Sequence, residues 1–448
     1  MNIFFVSMGC AKNSVDSETL MGRLSFEGHR IVERPEDARV GIINTCAFIQ
    51  DAVKENVDAI LDLELLKERG VLERIVVVGC IVNRYEAELR QELESVDLFA
   101  RAEDWDTVVD YLAGLERSKE AGAEPKSGCG RVALPGSPLW SRYLKVGEGC
   151  DTFCSYCSIP LIRGRLRSLH VERLVDEALG LCAEGARELC LVGQDLTAYG
   201  RDLYGEPATE RLLRELEKAL PDGTWVRLLY LHPDRLTPAF VDFLMESDKV
   251  LPYLDVPIQH IDDAILTRMN RAPASGHIRK IFRYIREKNP LFALRTTIMT
   301  GFPGETEEQF RKVLDFLEEA EIDRVGAFVY SPEEGTHAAS FPDLVPHEVG
   351  EARYARVMEL QAELSRARSA LFVGRELDVL IEEVDAESDE AWGRSYRDAP
   401  EVDGLVCVSG GGGLAPGTFV RVQVTDCEEH DLFGHVAGAG VCGGEADD

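Results

Sequence analysis

Residues 142–157 read Arg142-Tyr-Leu-Lys-Val146-Gly147-Glu148-Gly149-Cys150-Asp-Thr-Phe-Cys154-Ser-Tyr-Cys157, and the reading of the chain turns on them. Arg142–Val146 predicts a strand and Gly147-Glu148-Gly149 a turn, after which three cysteines follow with C-x3-C-x2-C spacing. Three thiolates this close can share one metal centre. A cubane iron–sulfur cluster has four irons and normally takes four cysteines. Cys150, Cys154 and Cys157 supply three, with no obvious fourth nearby, which leaves one iron open. An open iron can take a small chelating ligand, as the open position of a catalytic zinc takes water or substrate. The alternative is a zinc site completed by a distant ligand such as Cys182, Cys190 or a histidine.

Outward from this motif, residues 1–115 alternate strands with helices. Strands are predicted at Asn2–Ser7, Val40–Asn44 and Ile75–Val78. Helical patterns cover Ser17–Phe26 (stopped by Gly28), Ala52–Arg69 and Tyr85–Leu93. That alternation indicates a doubly wound parallel sheet. Cys10, Cys46 and Cys80 each fall just past the carboxyl end of one of these strands. In an open α/β sheet those ends face one crevice, where ligands bind. Three thiolates converging there would make a second three-cysteine site, whereas three unrelated buried cysteines would simply fill the core.

Residues 116–138 are rich in Gly, Pro, Ala, Ser and charge, and suit a linker. Residues 139–370 alternate again, with strands predicted at Arg142–Val146, Glu188–Val192, Trp225–Tyr230, Tyr253–Val256, Ala293–Met299 and Val325–Tyr330. Six parallel strands with long helical intervals suit an open, partial (β/α)6 barrel. Residues 371–437 are short apolar strands with Gly-rich turns, including Gly410–Gly413, and read as a small antiparallel β-barrel. Residues 438–448 form a small-residue acidic tail.

The chain has 448 residues, a length that suits several domains, and its 45% apolar content suffices for buried cores. Its net charge of −31 excludes a generally phosphate-coating protein, which would need surplus Lys and Arg. From Gly374 onward there are 4 Lys+Arg against 18 Asp+Glu, a balance that repels phosphate and attracts a basic partner. No window approaches the ~20 apolar residues of a membrane span. Met1-Asn2-Ile3-Phe4-Phe5-Val6 lacks a basic leader region and reads as a first strand. Twelve cysteines without a secretion signal point to the reducing cytoplasm, where spaced cysteines serve metals or catalysis.

The C-x3-C-x2-C motif after a barrel's first strand resembles the radical S-adenosylmethionine (SAM) enzymes. The resemblance implies that the open iron binds the amino and carboxylate groups of SAM. One electron then splits the sulfonium into methionine and a 5′-deoxyadenosyl radical, which takes hydrogen from an unactivated carbon. No side chain can do this, so a cofactor must. The two cysteine sets in this order, with a C-terminal barrel, resemble the methylthiotransferases over nearly the whole chain. Further stretches carry the likeness: Gly9-Cys10-Ala-Lys-Asn13, Asn44-Thr-Cys46, Gly79-Cys80, Ile162-Arg163-Gly164-Arg165, Gln194-Asp195 and Gly301-Phe-Pro-Gly-Glu305-Thr306. That family has an N-terminal methylthiotransferase domain, a radical SAM domain and a TRAM domain, carries two 4Fe–4S clusters, and converts C–H to C–S–CH3. It implies that Cys150, Cys154 and Cys157 hold the catalytic cluster that cleaves SAM. Cys10, Cys46 and Cys80 would hold a second cluster that carries or donates sulfur. One SAM supplies the methyl group and another the radical.

Val192–Gly200, Tyr230-Leu-His-Pro233, Tyr330–Thr336 and Gly393–Gly404 resemble the branch that modifies an aspartate β-carbon in the twelfth small-subunit ribosomal protein, giving 3-methylthioaspartate. A basic ribosomal loop would be steered by the acidic barrel. Nucleic acid contact is then incidental through the ribosome, no membrane is involved, and an electron donor and a sulfur donor are required. A tRNA-reading barrel would carry excess Lys and Arg, which disfavours the related tRNA adenosine methylthiotransferases. A non-catalytic zinc-binding adaptor is the remaining alternative.

Gln194, Asp195, Arg295 and Glu305 are candidate SAM contacts, because active sites of α/β barrels collect at strand ends. Loop capping and salt bridging would also explain them. Asn13 and Asn44 flank the first cysteine set and suit turns better than cluster contacts. His232 and His260 suit structural roles. Cys182, Cys190, Cys407 and Cys427 read as core, Cys129 and Cys442 as flexible bystanders. Trp392, Tyr396 and Phe433 read as barrel core rather than partner contacts.

Overall fold

A computed structural model describes residues 1–116, 130–272 and 274–438. Most of the expected linker and all of the acidic tail beyond Gly438, with Cys129 and Cys442, lie outside the described residues. The chain divides into two compact units. One comprises Met1–Gly185, Cys190–Pro221 and Ser331–Phe341; the other comprises Ala186–Leu189, Asp222–Tyr330 and Pro342–Asp448.

The first unit opens with β1 (Asn2–Ser7), α1 (Ala11–Phe26), β2 (Arg30–Val32), β3 (Val40–Thr45), α2 (Gln50–Glu68), β4 (Arg74–Gly79), α3 (Cys80–Glu92), β5 (Leu98–Arg101) and α4 (Trp105–Glu116). The five strands form one sheet in the order β2-β1-β3-β4-β5, parallel throughout. Side chains alternate across it. Ile3, Phe5, Val40, Ile42, Val76 and Val78 pack with Leu20, Leu24 and Leu112 on one face. Ile43, Ile75 and Val77 pack with Ile60, Leu63 and Leu89 on the other. Helices on both faces bury a parallel sheet completely, which is why β3 has no exposed residue. The strand order reverses between β1 and β3, so the crevice of such a sheet lies at their carboxyl ends.

The unit continues with β6 (Ser141–Lys145), β7 (Gly147–Glu148), α5 (Ile159–Arg163), β8 (Arg167–Ser168) and α6 (Val171–Ala183). β9 (Glu188–Val192), which belongs to this unit from Cys190 onward, α7 (Arg201–Tyr204) and α8 (Thr209–Ala219) follow. β7 and β8 form an antiparallel ladder that closes the cysteine loop between them. The carboxyl half of β9 lies beside β6, where Val146 N–H donates to Val192 O at 2.9 Å.

The second unit holds β10 (Trp225–Leu228), α9 (Pro238–Glu246), β11 (Tyr253–Asp255), α10 (Asp263–Arg268), α11 (Ser275–Lys288), β12 (Ala293–Thr300), α12 (Glu307–Ala320), β13 (Arg324–Val329) and α13 (His347–Ala370). β11, β12 and β13 are parallel neighbours. The strand expected to run to Tyr230 stops at Leu228, because Tyr230 adopts a left-handed φ of 64°. β14 (Glu376–Asp385), β15 (Glu390–Arg394), β16 (Val406–Ser409), β17 (Phe419–Cys427) and β18 (Leu432–Val436) close a barrel in the order β14-β15-β16-β18-β17. The barrel expected to be antiparallel contains one parallel pair, β16 with β18. A long crossover through β17 brings β18 back beside β16 in the same direction. The core holds Val379, Ile381, Val406, Val408, Val422 and Leu432. Trp392 and Phe433 sit half-buried, edge to face at 6.5 Å. Among the described residues no helix is long and apolar enough to cross a membrane.

Candidate active site

Both cysteine sets lie in the first unit. Cys10 caps the start of α1, Cys46 follows β3, and Cys80 opens α3 directly after β4. Gly9 and Gly79 precede two of them with φ of 95° and 107°, a region that side chains with Cβ rarely adopt. Each glycine also permits a close approach. A Cβ on Gly9 would stand 2.6 Å from Cys46 Cβ and 3.1 Å from its Sγ; one on Gly79 would stand 2.4 Å from Asn44 Oδ1. Asn13 stitches the loops together. Its Nδ2 donates to Met8 O at 2.9 Å and Thr45 O at 2.7 Å, and its Oδ1 lies 3.8 Å from Cys80 Sγ. Asn44 donates to Asn13 O and Ser17 Oγ. The Cys46 backbone N–H is held by Asn56 Oδ1 at 2.9 Å.

The thiols feel one another. Burial pushes the Cys46 thiol up, and nearby Cys10 adds to the shift. Burial pushes Cys80 up to about 12, against the pull of Arg163, with Cys46 and Cys10 adding smaller increments. A bound metal would reverse this, since a coordinating thiol is deprotonated outright. Among the described residues no three His, Cys, Asp or Glu are placed to hold a single ion. A cubane offers each thiolate its own iron, so its ligands surround a volume and not a point. Three cysteines at the ends of neighbouring strands, with glycines where side chains would intrude, fit that requirement.

The C-x3-C-x2-C segment forms the loop between β7 and α5. Cys150 N–H donates to Gly164 O at 3.2 Å and Cys157 N–H to Cys154 O at 3.0 Å. Gly149 has no room for a side chain, since a Cβ would meet Arg165 O at 2.0 Å. Phe153 takes a left-handed φ of 49° at the loop's tip, with the Arg165 guanidinium 5.1 Å from its ring centroid. All three cysteines are partly accessible. Burial raises the Cys150 thiol, and bonds from Thr152 oppose it. Such an accessible loop of three thiols fits a cluster that must admit a ligand at its fourth iron.

Around the two sets lie side chains to which the sequence assigned no role. Arg163, the last residue of α5, is buried and donates from Nε to Cys80 Sγ at 3.2 Å and from Nη1 to Asp16 Oδ2 at 2.8 Å and Glu148 Oε1 at 3.3 Å. Its Nη2 donates to Asn13 Oδ1. Lys145 bridges Asp16 and Glu148. Burial disfavours the Glu148 charge, yet the Lys145 and Arg163 cations hold its carboxyl below the usual range. Around the loop, Ser158 Oγ donates to Phe48 O at 3.0 Å and Asn83 Nδ2 to Ile162 O at 2.7 Å. The segment Ser331–Phe341 joins the same unit: Glu333 accepts from Arg84 at 3.0 Å and from the Gln50 N–H at 3.2 Å, while Ala338 N–H reaches Ser155 O at 2.8 Å.

Of the other candidates, Asp195 follows β9 and its Oδ1 accepts from Thr197 N–H at 3.0 Å. Its second oxygen lies 3.5 Å from Thr152 Oγ1, beside the turn of Cys150. Gln194 is half-buried next to it. In the second unit Arg295 pairs with Asp255 at 3.3 Å and Asp403 at 3.2 Å. Glu305 accepts from Gly301 N–H at 2.7 Å and Arg353 at 2.6 Å, and lies 3.2 Å from His260 Nε2. His232 accepts the Asp234 N–H, and burial lowers it to about 2, so it stays neutral. Cys190 and Cys407 are buried, Cys182 and Cys427 less so.

This architecture defines a radical SAM enzyme with an added three-cysteine sheet domain and a C-terminal barrel, and the comparisons with known proteins agree. Residues 144–317 match the radical SAM superfamily, 373–437 the TRAM domain, and 2–100 a family described as Uncharacterized protein family UPF0004. The chain is 42% identical to the ribosomal protein uS12 methylthiotransferase RimO of Geobacter sulfurreducens, over 97% of this chain and 98% of that one. It is also 42% identical to the RimO of Aquifex aeolicus, over 97% of each chain. The chain belongs to the RimO family of radical SAM methylthiotransferases. It is a transferase whose cofactors are SAM and two 4Fe–4S clusters. Among solved structures it resembles the radical SAM methyltransferase TsrM of Kitasatospora setae, with TM-score 0.53 and 15% identity over 73% of this chain and 74% of that one, a likeness of fold.

Proposed function

We propose that this enzyme inserts sulfur and a methyl group at the β-carbon of an aspartate in ribosomal protein uS12, giving 3-methylthioaspartate. The observation that carries the reading is the pairing of two three-cysteine sets within one compact unit, with Arg163, on the helix that leaves one set, donating to Cys80 of the other. The names of the relatives support the substrate. In this reading Cys150, Cys154 and Cys157 hold the cluster that takes SAM, and Cys10, Cys46 and Cys80 hold the second. When bound, the first supplies the electron that splits SAM and the second the setting for sulfur delivery. The chain's own residues provide the rest. Gly9 and Gly79 keep the first crevice open, and Asn13 fixes its floor. Gln194 and Asp195 are the SAM contacts we favour, because Asp195 stands beside the Cys150 turn. Arg295 and Glu305, offered with them, would have to give up ion pairs of their own. An electron donor and a sulfur donor act from outside.

We also propose functional boundaries at 1–115, 139–370 and 371–437, with 116–138 as linker and 438–448 as tail. The family matches at 2–100, 144–317 and 373–437 fall inside them. Exposed Asp385, Glu387, Asp389, Asp426, Glu428 and Glu429 crowd the barrel and favour a basic protein segment over a phosphate backbone. That disfavours a tRNA substrate. A ribosomal substrate places the work in the cytoplasm.

The test is a competition. The anaerobically reconstituted enzyme, with SAM, sulfide and a reductant, is offered ribosomal small subunits and bulk tRNA together. Mass spectrometry should find one added CH2S unit on the uS12 peptide. Gain on tRNA alone would move the enzyme to the nucleic-acid branch.

A further inference from the structure

Arg163 does more than complete an ion pair. Lys145 already bridges Asp16 and Glu148. Adding Arg163 brings two cations against two carboxylates, and it directs a further N–H at sulfur. Nε is aimed at Cys80 Sγ, 3.2 Å away, while the two Nη atoms are fixed by Asp16, Glu148 and Asn13. The planar fork of an arginine makes such an arrangement stiff, because every hydrogen bond it forms fixes the direction of the others. The side chain is only 2% exposed, so water does not screen it.

The guanidinium also comes from a particular place. α5 starts two residues after Cys157 and ends at Arg163 itself. The residue that touches the ligand of one cysteine set therefore rides on the helix that leaves the other. Hydrogen bonds to sulfur and local charge set the potential of an iron–sulfur cluster. A cationic donor on a ligating sulfur favours the reduced, more negative state.

We infer that Arg163 is a positioning residue that holds Cys80 and raises the reduction potential of the cluster at Cys10, Cys46 and Cys80. This rests on the proposed assignment of those three cysteines as cluster ligands.

The experiment uses the full chain carrying C150A, C154A and C157A, so that only the first cluster remains, and follows its reduction by electron paramagnetic resonance in a potential titration. Iron and sulfide are measured on the same samples. In this background R163Q should lower the reduced-to-oxidised ratio at a given potential about tenfold, equivalent to about 59 mV for one electron. R163K keeps the charge but not the fork and should recover part of the shift. Unchanged potentials in R163Q and R163K overturn the role. Should R163Q fail to load iron, R163K decides by the same reading, and loss of the cluster from both would make Arg163 a folding residue and overturn the inference. A parent triple variant without any cluster would instead refute the ligand assignment, and this role with it.

Discussion

Gly9 and Cys46 are so close that one methyl group on the glycine would lie 2.6 Å from the cysteine's Cβ. The first cysteine crevice thus depends on a residue with no side chain, held at a φ of 95°. Strain of this kind costs about 1–3 kcal/mol. Gly9→Ala should therefore lower the thermal midpoint and spoil the first site while sparing the second. Iron and sulfide per chain should fall to about half, as expected when one of two clusters is lost. SAM cleavage should persist. Full iron content in the variant would show that the crevice tolerates a side chain.

The two cysteine sets should separate by function. Cys154→Ala should abolish 5′-deoxyadenosine formation with the circular dichroism spectrum unchanged, because Cys154 lies on a partly accessible loop. Cys46→Ala should still cleave SAM but add no sulfur. Deoxyadenosine production by the first variant, or normal thiolation by the second, would contradict the assignment.

Asp195 offers a gentler probe. Asp195→Asn keeps an oxygen for the Thr197 N–H while removing the charge next to the Cys150 turn and the acceptor that faces Thr152 Oγ1. As a SAM contact it should raise KM for SAM about tenfold, equivalent to about 1.4 kcal/mol, with iron content untouched. An unchanged KM would leave Asp195 a loop cap.

Acid should attack the second unit through Glu188. This carboxylate is fully buried between Arg227, at 2.7 Å, and Arg394, at 2.6 Å. Burial opposes its charge, yet the two guanidiniums lower it from 4.5 to about 2. A carboxyl with a depressed folded-state value stabilises the fold fully above pH 4.5, and that contribution disappears as pH falls towards about 2. Glu188→Gln leaves two buried cations without their shared anion and should cost about 3–5 kcal/mol. In thermal scans of the metal-free chain, the difference between wild type and variant should be constant near neutrality and shrink below pH 4.5. A gap that does not shrink in acid would show that the charge is not the stabilising element.

Much of the fold was legible because its signals are local. β1 and β9 fall where the apolar runs predict, and β3 and β4 within a residue. The three-residue β2, the four-residue β5 and α4 escaped notice, since the two short strands draw their stability from neighbours rather than from pattern. α1 begins at Ala11, well before Ser17, because its first turns bury Lys12, Asn13 and Asp16. Asn13 and Asp16 break the apolar period because they hold the first cysteine crevice and Arg163. The same holds for α3, whose first turn carries Cys80 and whose backbone kinks at Tyr85. The positions of the cysteines could be read from strand ends. The roles of Arg163, Asp16 and Glu148 could not, because nothing short-range links a helix after residue 157 to a strand end at residue 79. The parallel β16–β18 pair escaped for the same reason.

That long reach has a consequence in time. The contact between Arg163 and Cys80 spans 83 residues. At about 5–20 residues per second of synthesis, the guanidinium follows the thiol out of the ribosome by roughly 4–17 s. The strands and helices of the first sheet all precede residue 117, so most of its hydrophobic core can form before then, with Ile162 arriving alongside the guanidinium. Three of the earliest cysteines to be made therefore wait, in a folded crevice, for a cation that the cell has yet to build. Stalled or truncated chains ending before α5 would carry the thiols without their guanidinium partner, and with Cys80 held more firmly in its protonated form.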